Sequence, residues 1–162
     1  MQDAATTLIG QSLGAGRKKL AKSFAGISIF LGASMMTALA VLMWLFAPEI
    51  MGMLSQDAEV IALGASCLKI EAWAELFFAI SIVGYGCCIG AGDTLTPSAI
   101  NLLSMWVIRI GLALLLIPRF GLQGYWIAMA SELTAKGVIF AIRIHGDKWM
   151  KTRLTDNEHH IA

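Results

Sequence analysis

From Ser23 to Pro48 the chain carries no charged residue, with FAGISIFLGASMMTALAVLMWLFA filling the stretch between them. A helix rises about 1.5 Å per residue and needs about 20 apolar residues to cross ~30 Å of hydrocarbon. This stretch is long enough to cross and has no face that would suit water. Three more apolar stretches follow, at about 60–90, 97–117 and 121–142, each carrying one or a few charges. Of the 162 residues 57% are hydrophobic and 14% charged, and the mean hydropathy is +0.72. A soluble domain carries roughly 25% charged residues, so this chain lacks the polar surface to cover a core in water. A net charge of +1 supplies no basic excess for phosphate contacts, which excludes a nucleic-acid binder. The implied fold is all-α: a polytopic membrane protein with four transmembrane helices, at about 23–47, 60–90, 97–117 and 121–142.

The punctuation supports that partition. Pro48 and Pro118 stand at the ends of the first and third spans, and Thr96-Pro97 reads as an N-cap with proline in the first turn. Gly90-Ala91-Gly92-Asp93 and Pro118-Arg119-Phe120-Gly121 are short connections, which predict antiparallel, adjacent helices. The chain divides into residues 1–22, the end of a helix that starts upstream plus a basic loop; 23–143, the transmembrane region; and 144–162, a polar tail. Met1-Gln2-Asp3 is acidic, unlike the start of a signal peptide.

Arg17, Lys18, Lys19 and Lys22 precede the first span, and Arg143, Lys148, Lys151 and Arg153 follow the fourth. The 48–59 loop holds Glu49, Asp57 and Glu59 and no basic residue. By the rule that basic loops stay inside, both termini are expected in the cytoplasm and that loop outside.

No enzymatic chemistry is encoded in a recognisable pattern. Cys67, Cys87 and Cys88 have no metal-ligand spacing and read as small packing residues. His145, His159 and His160 fall in the polar tail. GAGRKK and GAGDTLTP lack the Gly-Lys-Ser/Thr of a phosphate loop. No catalytic, metal or cofactor site is therefore expected. Gly84, Gly86, Gly90 and Gly92 crowd the end of the second span, where they let the chain turn and a neighbouring helix approach.

The charges inside the spans carry the most information. Lys69, Arg109 and Lys136 are balanced by Glu71, Glu75 and Glu132. Each costs a few kcal/mol at the bilayer centre on insertion scales, so such residues face partners or water. Glu71 and Glu75 are four apart and share a face; Glu132 and Lys136 have the favourable order for an ion pair. Glu75 lies ~22 Å from the Gly90 end and Arg109 ~18 Å from the Pro97 end, which predicts pairing at one depth. The transport or ion-coupling candidates are Glu75, Glu71, Arg109 and Glu132. Internal salt-bridging and exchange of a carboxylate's partner with a cation both remain open on these residues.

Three blocks resemble the multidrug and toxic compound extrusion (MATE) transporters. They are LIGQSLGAGRKKLAK at 8–22, GAGDTLTPSAINLLSMWVIRIGLALLL at 90–116 and GLQGYWIAMASELTAKGVIFAIRIHGDKW at 121–149. The resemblance covers essentially the whole chain and matches it to the last four of twelve helices, after a remnant of the eighth. It implies antiport of drugs or other amphipathic cationic compounds out of the cell, coupled to protons or sodium ions. It also implies an inner or plasma membrane location and a missing N-terminal lobe as partner. Branches with an acidic residue in the tenth helix carry it twelve positions before the glycine matching Gly90. Here that position is Phe78, and Glu75 stands about one turn earlier. The alternatives are a lipid or polysaccharide flippase of the same superfamily and a non-transporting four-helix membrane scaffold.

Overall fold

The structure, a computed structural model, describes residues 1–147, 149 and 150. Lys148, Lys151, Arg153, His159 and His160 of the expected tail lie outside the described residues. Six helices follow in order: α1 (Gln2–Gly14), α2 (Lys18–Leu45), α3 (Ala47–Leu54), α4 (Ala58–Gly90), α5 (Leu95–Phe120) and α6 (Leu122–His145). The protein is an all-α helical membrane protein. Its helices α2, α4 and α5 are long and apolar enough to cross a bilayer. Three of the four expected spans meet that measure, and the fourth, α6, does not. α6 is 24 residues long, about 36 Å at the helical rise. It is not in that apolar class, because Glu132, Lys136 and Arg143 dilute its hydropathy.

Local chemistry moves several boundaries. Pro48 stops α2 at Leu45, as expected, but its fixed φ then serves the first turn of α3. The 48–59 segment is therefore largely a short helix rather than a loop. Asp57 caps α4 by accepting from the Glu59 amide at 2.8 Å. At its other end Gly92 adopts φ +78°, and the amides of Gly92 and Asp93 bond back to Ile89 and Cys88 at 2.9 Å. This is a Schellman stop, which a Cβ-bearing residue would strain. Thr96 is not the N-cap of α5. The helix already starts at Leu95, and the Thr96 hydroxyl donates to Asp93 Oδ1 at 2.9 Å. Pro118 does not end α5 either; it sits in the last turn, and Gly121, at φ +57°, makes the break.

α4 is the hub, packing against α1, α2, α3 and α6. Its contact surfaces are built from small residues. The core joins Ala5, Ala21, Ala25, Cys87, Cys88 and Ala91 to Val83, Phe140, Ile144 and Trp149. Small side chains let helix backbones approach where lipid supplies no hydrophobic driving force between helices. The large apolar side chains point outward instead: Phe30, Leu114 and Leu115 are each 70% exposed. The expectation that consecutive helices are neighbours holds for α5 and α6, whereas α4 and α5 meet only slightly and α6 takes the place beside α4.

At the end where α2 begins and α6 finishes, Lys22 Nζ donates to Asp147 Oδ1 at 2.7 Å, both side chains being well exposed. The lysine holds the Asp147 carboxyl below the usual aspartate range, so folding is favoured by the pair while the carboxyl is ionised. Asp147→Asn should lower thermal stability slightly at neutral pH and low salt. The loss should shrink with added salt, and vanish as pH falls through the depressed aspartate value. Thermal melts across pH and salt check this.

Candidate functional site

The site begins with an irregularity in α5. Residues Ser104–Ile110 (SMWVIRI) form a π-turn between the α-helical segments Leu95–Leu103 and Gly111–Phe120. In α geometry five residues leave Ser104 and Arg109 about 140° apart around the axis. The wider i→i+5 turn brings both onto the side that faces α6. Glu132 of α6 meets them there with no exposed surface. Ser104 Oγ donates to Glu132 Oε1 at 3.0 Å, and Arg109 Nη2 donates to Oε2 at 2.8 Å. Lys136, one turn along α6, reaches Oε1 at 2.9 Å. One buried carboxylate thus holds two cations and a hydroxyl.

The predicted Glu75–Arg109 pair is not formed; Arg109 pairs with Glu132. Depth does not choose between the two carboxylates, since Glu132 lies 13 residues before His145 and Arg109 14 residues after Leu95. Both are about 20 Å from the same end of the bundle. What decides the partner is lateral packing: α5 lies on α6, not on α4. Among the described residues, Glu71 and Glu75 therefore have no fixed cation. Each keeps one carboxylate oxygen buried without a hydrogen-bond partner, and so does the Nε of Arg109. Glu71 lies within electrostatic reach of both Glu75 and Arg109. Lys69 is engaged elsewhere, with its ammonium 5.3 Å from the ring centroid of Trp44 on α2.

Two apolar grooves flank Trp73, itself 78% exposed. One, of about 410 Å³, is lined by Thr37, Ala40, Val41, Trp44, Ala72 and Leu76. The other, of about 570 Å³, is lined by Ile70, Ile127, Ala130, Ser131, Thr134 and Ala135. None of the four candidate charges lines either groove. On α4, Trp73 stands about 160–200° around the axis from Glu71 and Glu75. The grooves and the carboxylates occupy different sides of the hub helix.

A second polar cluster closes the end of the bundle nearest Gly90. Arg143 of α6 pairs with Asp93, which also accepts from Thr96 and is 3% exposed. Trp149, fully buried, donates its indole N–H to the Ile144 carbonyl at 3.1 Å. Sequence reasoning placed Asp93 only in a turn and Arg143 only in an orientation count. The available signal was that Asp93 is an acid in a connection otherwise made of small residues. Ser104 was missed outright. Cys67, Cys87 and Cys88 are free and buried, the latter two in the core. His145 stands exposed in the last turn of α6.

Apolar spans, small-residue helix contacts and a buried, charge-compensated polar cluster together define a polytopic helical membrane protein. Residues 1–115 match the MatE family model. The chain is 33% identical over 147 residues to a probable multidrug resistance protein NorM of Chromobacterium violaceum, an alignment covering 85% of this chain and 32% of that protein. It is 33% identical over 158 residues to the corresponding Pseudomonas aeruginosa protein, covering 93% and 32%. Against the multidrug resistance protein MdtK of Yersinia enterocolitica it is 27% identical over 154 residues, covering 91% and 33%. The chain belongs to the MATE family, and it spans about a third of the length of these relatives.

Proposed function

We propose that this chain is the C-terminal part of an antiporter that exports drugs or other amphipathic cationic compounds, driven by protons or sodium ions. Family membership and the multidrug resistance names of the relatives support export as the activity. The observation that carries the coupling role is the contrast between the carboxylates: Glu132 is saturated, whereas Glu71 and Glu75 retain buried, unpartnered oxygens. A carboxylate withdrawn from water without a fixed cation is costly, and a proton or a monovalent cation relieves that cost. The pair therefore takes a cation when one is supplied and loses it to the side where it is scarce. Export follows when the two lobes of the whole transporter rock about a site between them, and residues upstream of α1 supply the other lobe. The basic residues Arg17, Lys18, Lys19 and Lys22 support cytoplasmic termini at the inner or plasma membrane. A topology reporter fused after Gln56 should be active only on the outer side.

The test joins this chain in frame to the preceding two thirds of the C. violaceum relative and measures export of a fluorescent cationic dye from vesicles under a proton or sodium gradient. Glu71→Gln with Glu75→Gln should reduce gradient-driven export at least about tenfold, as losing a required charge state does. Glu49→Gln, outside the spans, should leave it unchanged. Undiminished gradient-driven export by the double variant would remove the coupling role.

A further inference from the structure

We propose that Arg109 is a positioning residue with two alternative partners: it leaves Glu132 for the Glu71–Glu75 pair when that pair loses its cation. The inference rests on the reading of Glu71 and Glu75 as the coupling pair. Three features of the structure support it. First, Glu132 keeps a compensating cation when it releases Arg109: Lys136 and Ser104 both bond its Oε1, and only Oε2 gives up its partner. Second, Arg109 uses only Nη2 in its present pairing, and its buried Nε–H is without a partner. Glu71, within electrostatic reach of both Arg109 and Glu75, has a buried oxygen without a donor, and so has Glu75. Third, Arg109 sits in the π-turn of α5, and a π-turn that relaxes to α geometry re-aims every side chain it carries.

The charge count sets the direction of the exchange. Cys67 and Lys69 share α4 with the pair, Arg109 lies on α5, and Glu132 and Lys136 lie on α6. Helix α2 has no charge between residues 23 and 45, and Lys69 is held at Trp44. Arg109 and Lys136 against Glu71, Glu75 and Glu132 leave one negative charge uncompensated. One bound proton or monovalent cation makes the cluster neutral with Arg109 on Glu132. When that cation departs to water, the pair carries two negative charges and Glu132 with Lys136 carries none. With Lys69 at Trp44 and Lys136 on Glu132, Arg109 is the cation among the described residues that moves to the pair. α5 and α6 thereby sense the occupancy of α4, which a purely structural Arg109–Glu132 bond would not do.

The test is a pH titration of the 162-residue chain in lipid nanodiscs with ¹⁵N-labelled arginine. The Arg109 resonance is assigned by its disappearance in Arg109→Lys, and the carboxyl infrared band is followed in parallel. On raising pH the Arg109 Nε resonance should pass through one transition, with the same midpoint as the carboxyl band. Glu71→Gln/Glu75→Gln should abolish that transition, and each single variant should shift its midpoint. A carboxyl band that titrates while the resonance stays fixed would overturn the exchange but leave the coupling pair intact. If neither titrates, both readings fall. A transition that persists in the double variant, or is unmoved in both single variants, overturns the exchange. Should the double variant not fold, the coincidence of midpoints in the wild type and the shifts in the single variants decide.

Discussion

Glu132→Gln should be the most damaging single change in the membrane-embedded part of this chain, costing about 3–5 kcal/mol. The substitution keeps the shape but removes the charge that Arg109 and Lys136 share at 2.8 and 2.9 Å. Two half-buried cations then lose the carboxylate that they share. Replacing all three residues by apolar ones, as in Glu132→Met/Arg109→Leu/Lys136→Leu, should recover most of the loss, because neither the charges nor their desolvation remain. Glu75→Gln, by contrast, breaks no ion pair and removes an unpaired charge, so it should leave stability unchanged or raise it. Thermal unfolding in detergent measures all three. Equal destabilisation by Glu132→Gln and Glu75→Gln would show that the two carboxylates are not differently employed.

Gly90→Leu should detach α1 from α4. A Cβ at position 90 would sit 2.4 Å from the Thr6 carbonyl oxygen and 3.0 Å from Thr6 Cα, both backbone atoms that cannot swing aside. One turn earlier, a Cβ at Gly86 would come within 2.8 Å of the Gln2 carbonyl oxygen, and the Gly86 carbonyl accepts from Thr6 Oγ1 at 3.0 Å. Overpacking of this kind costs about 1–3 kcal/mol per site, more where backbone must move. The double Gly86→Leu/Gly90→Leu variant should expose α1 to limited proteolysis while the rest of the bundle stays protected. Gly26→Leu is the matched control: nothing lies within 4 Å of a Cβ there, and it should melt with the wild type. Unaltered protection of α1 in the double variant would mean that the glycines serve only the turn.

These two sites divide what the sequence made legible from what it did not. The span at 60–90 was readable to within two residues, because a long and mostly apolar run is a one-dimensional signal. The Gly86–Gly90 contact was readable as a close approach, though not as one with α1. Residue counting placed Arg109 and Glu75 near one level. Partner choice was not readable, because it depends on which helix stands beside which, and here α6 separates α4 from α5. The π-turn left no trace in SMWVIRI: Arg109 marks a residue that avoids lipid, but nothing in the run signals a wider turn. Pro118 misled for a related reason: in the last turn of a helix its ring displaces little, and Gly121 supplied the break. Membership of the MATE family was legible from the three quoted blocks, and the family match across residues 1–115 bears it out.

The central claim is a division of labour: Glu132 holds the helices together, and Glu71 with Glu75 exchanges a cation. A hydrophobic carbodiimide reacts with neutral carboxyls inside the membrane and spares those locked as anions in ion pairs. Labelling the chain in nanodiscs, followed by peptide mass spectrometry, measures this residue by residue. The account predicts an adduct on Glu71 or Glu75 that diminishes as pH or sodium concentration is raised, and none on Glu132. An adduct on Glu132, with Glu71 and Glu75 unmodified at every pH, would contradict it.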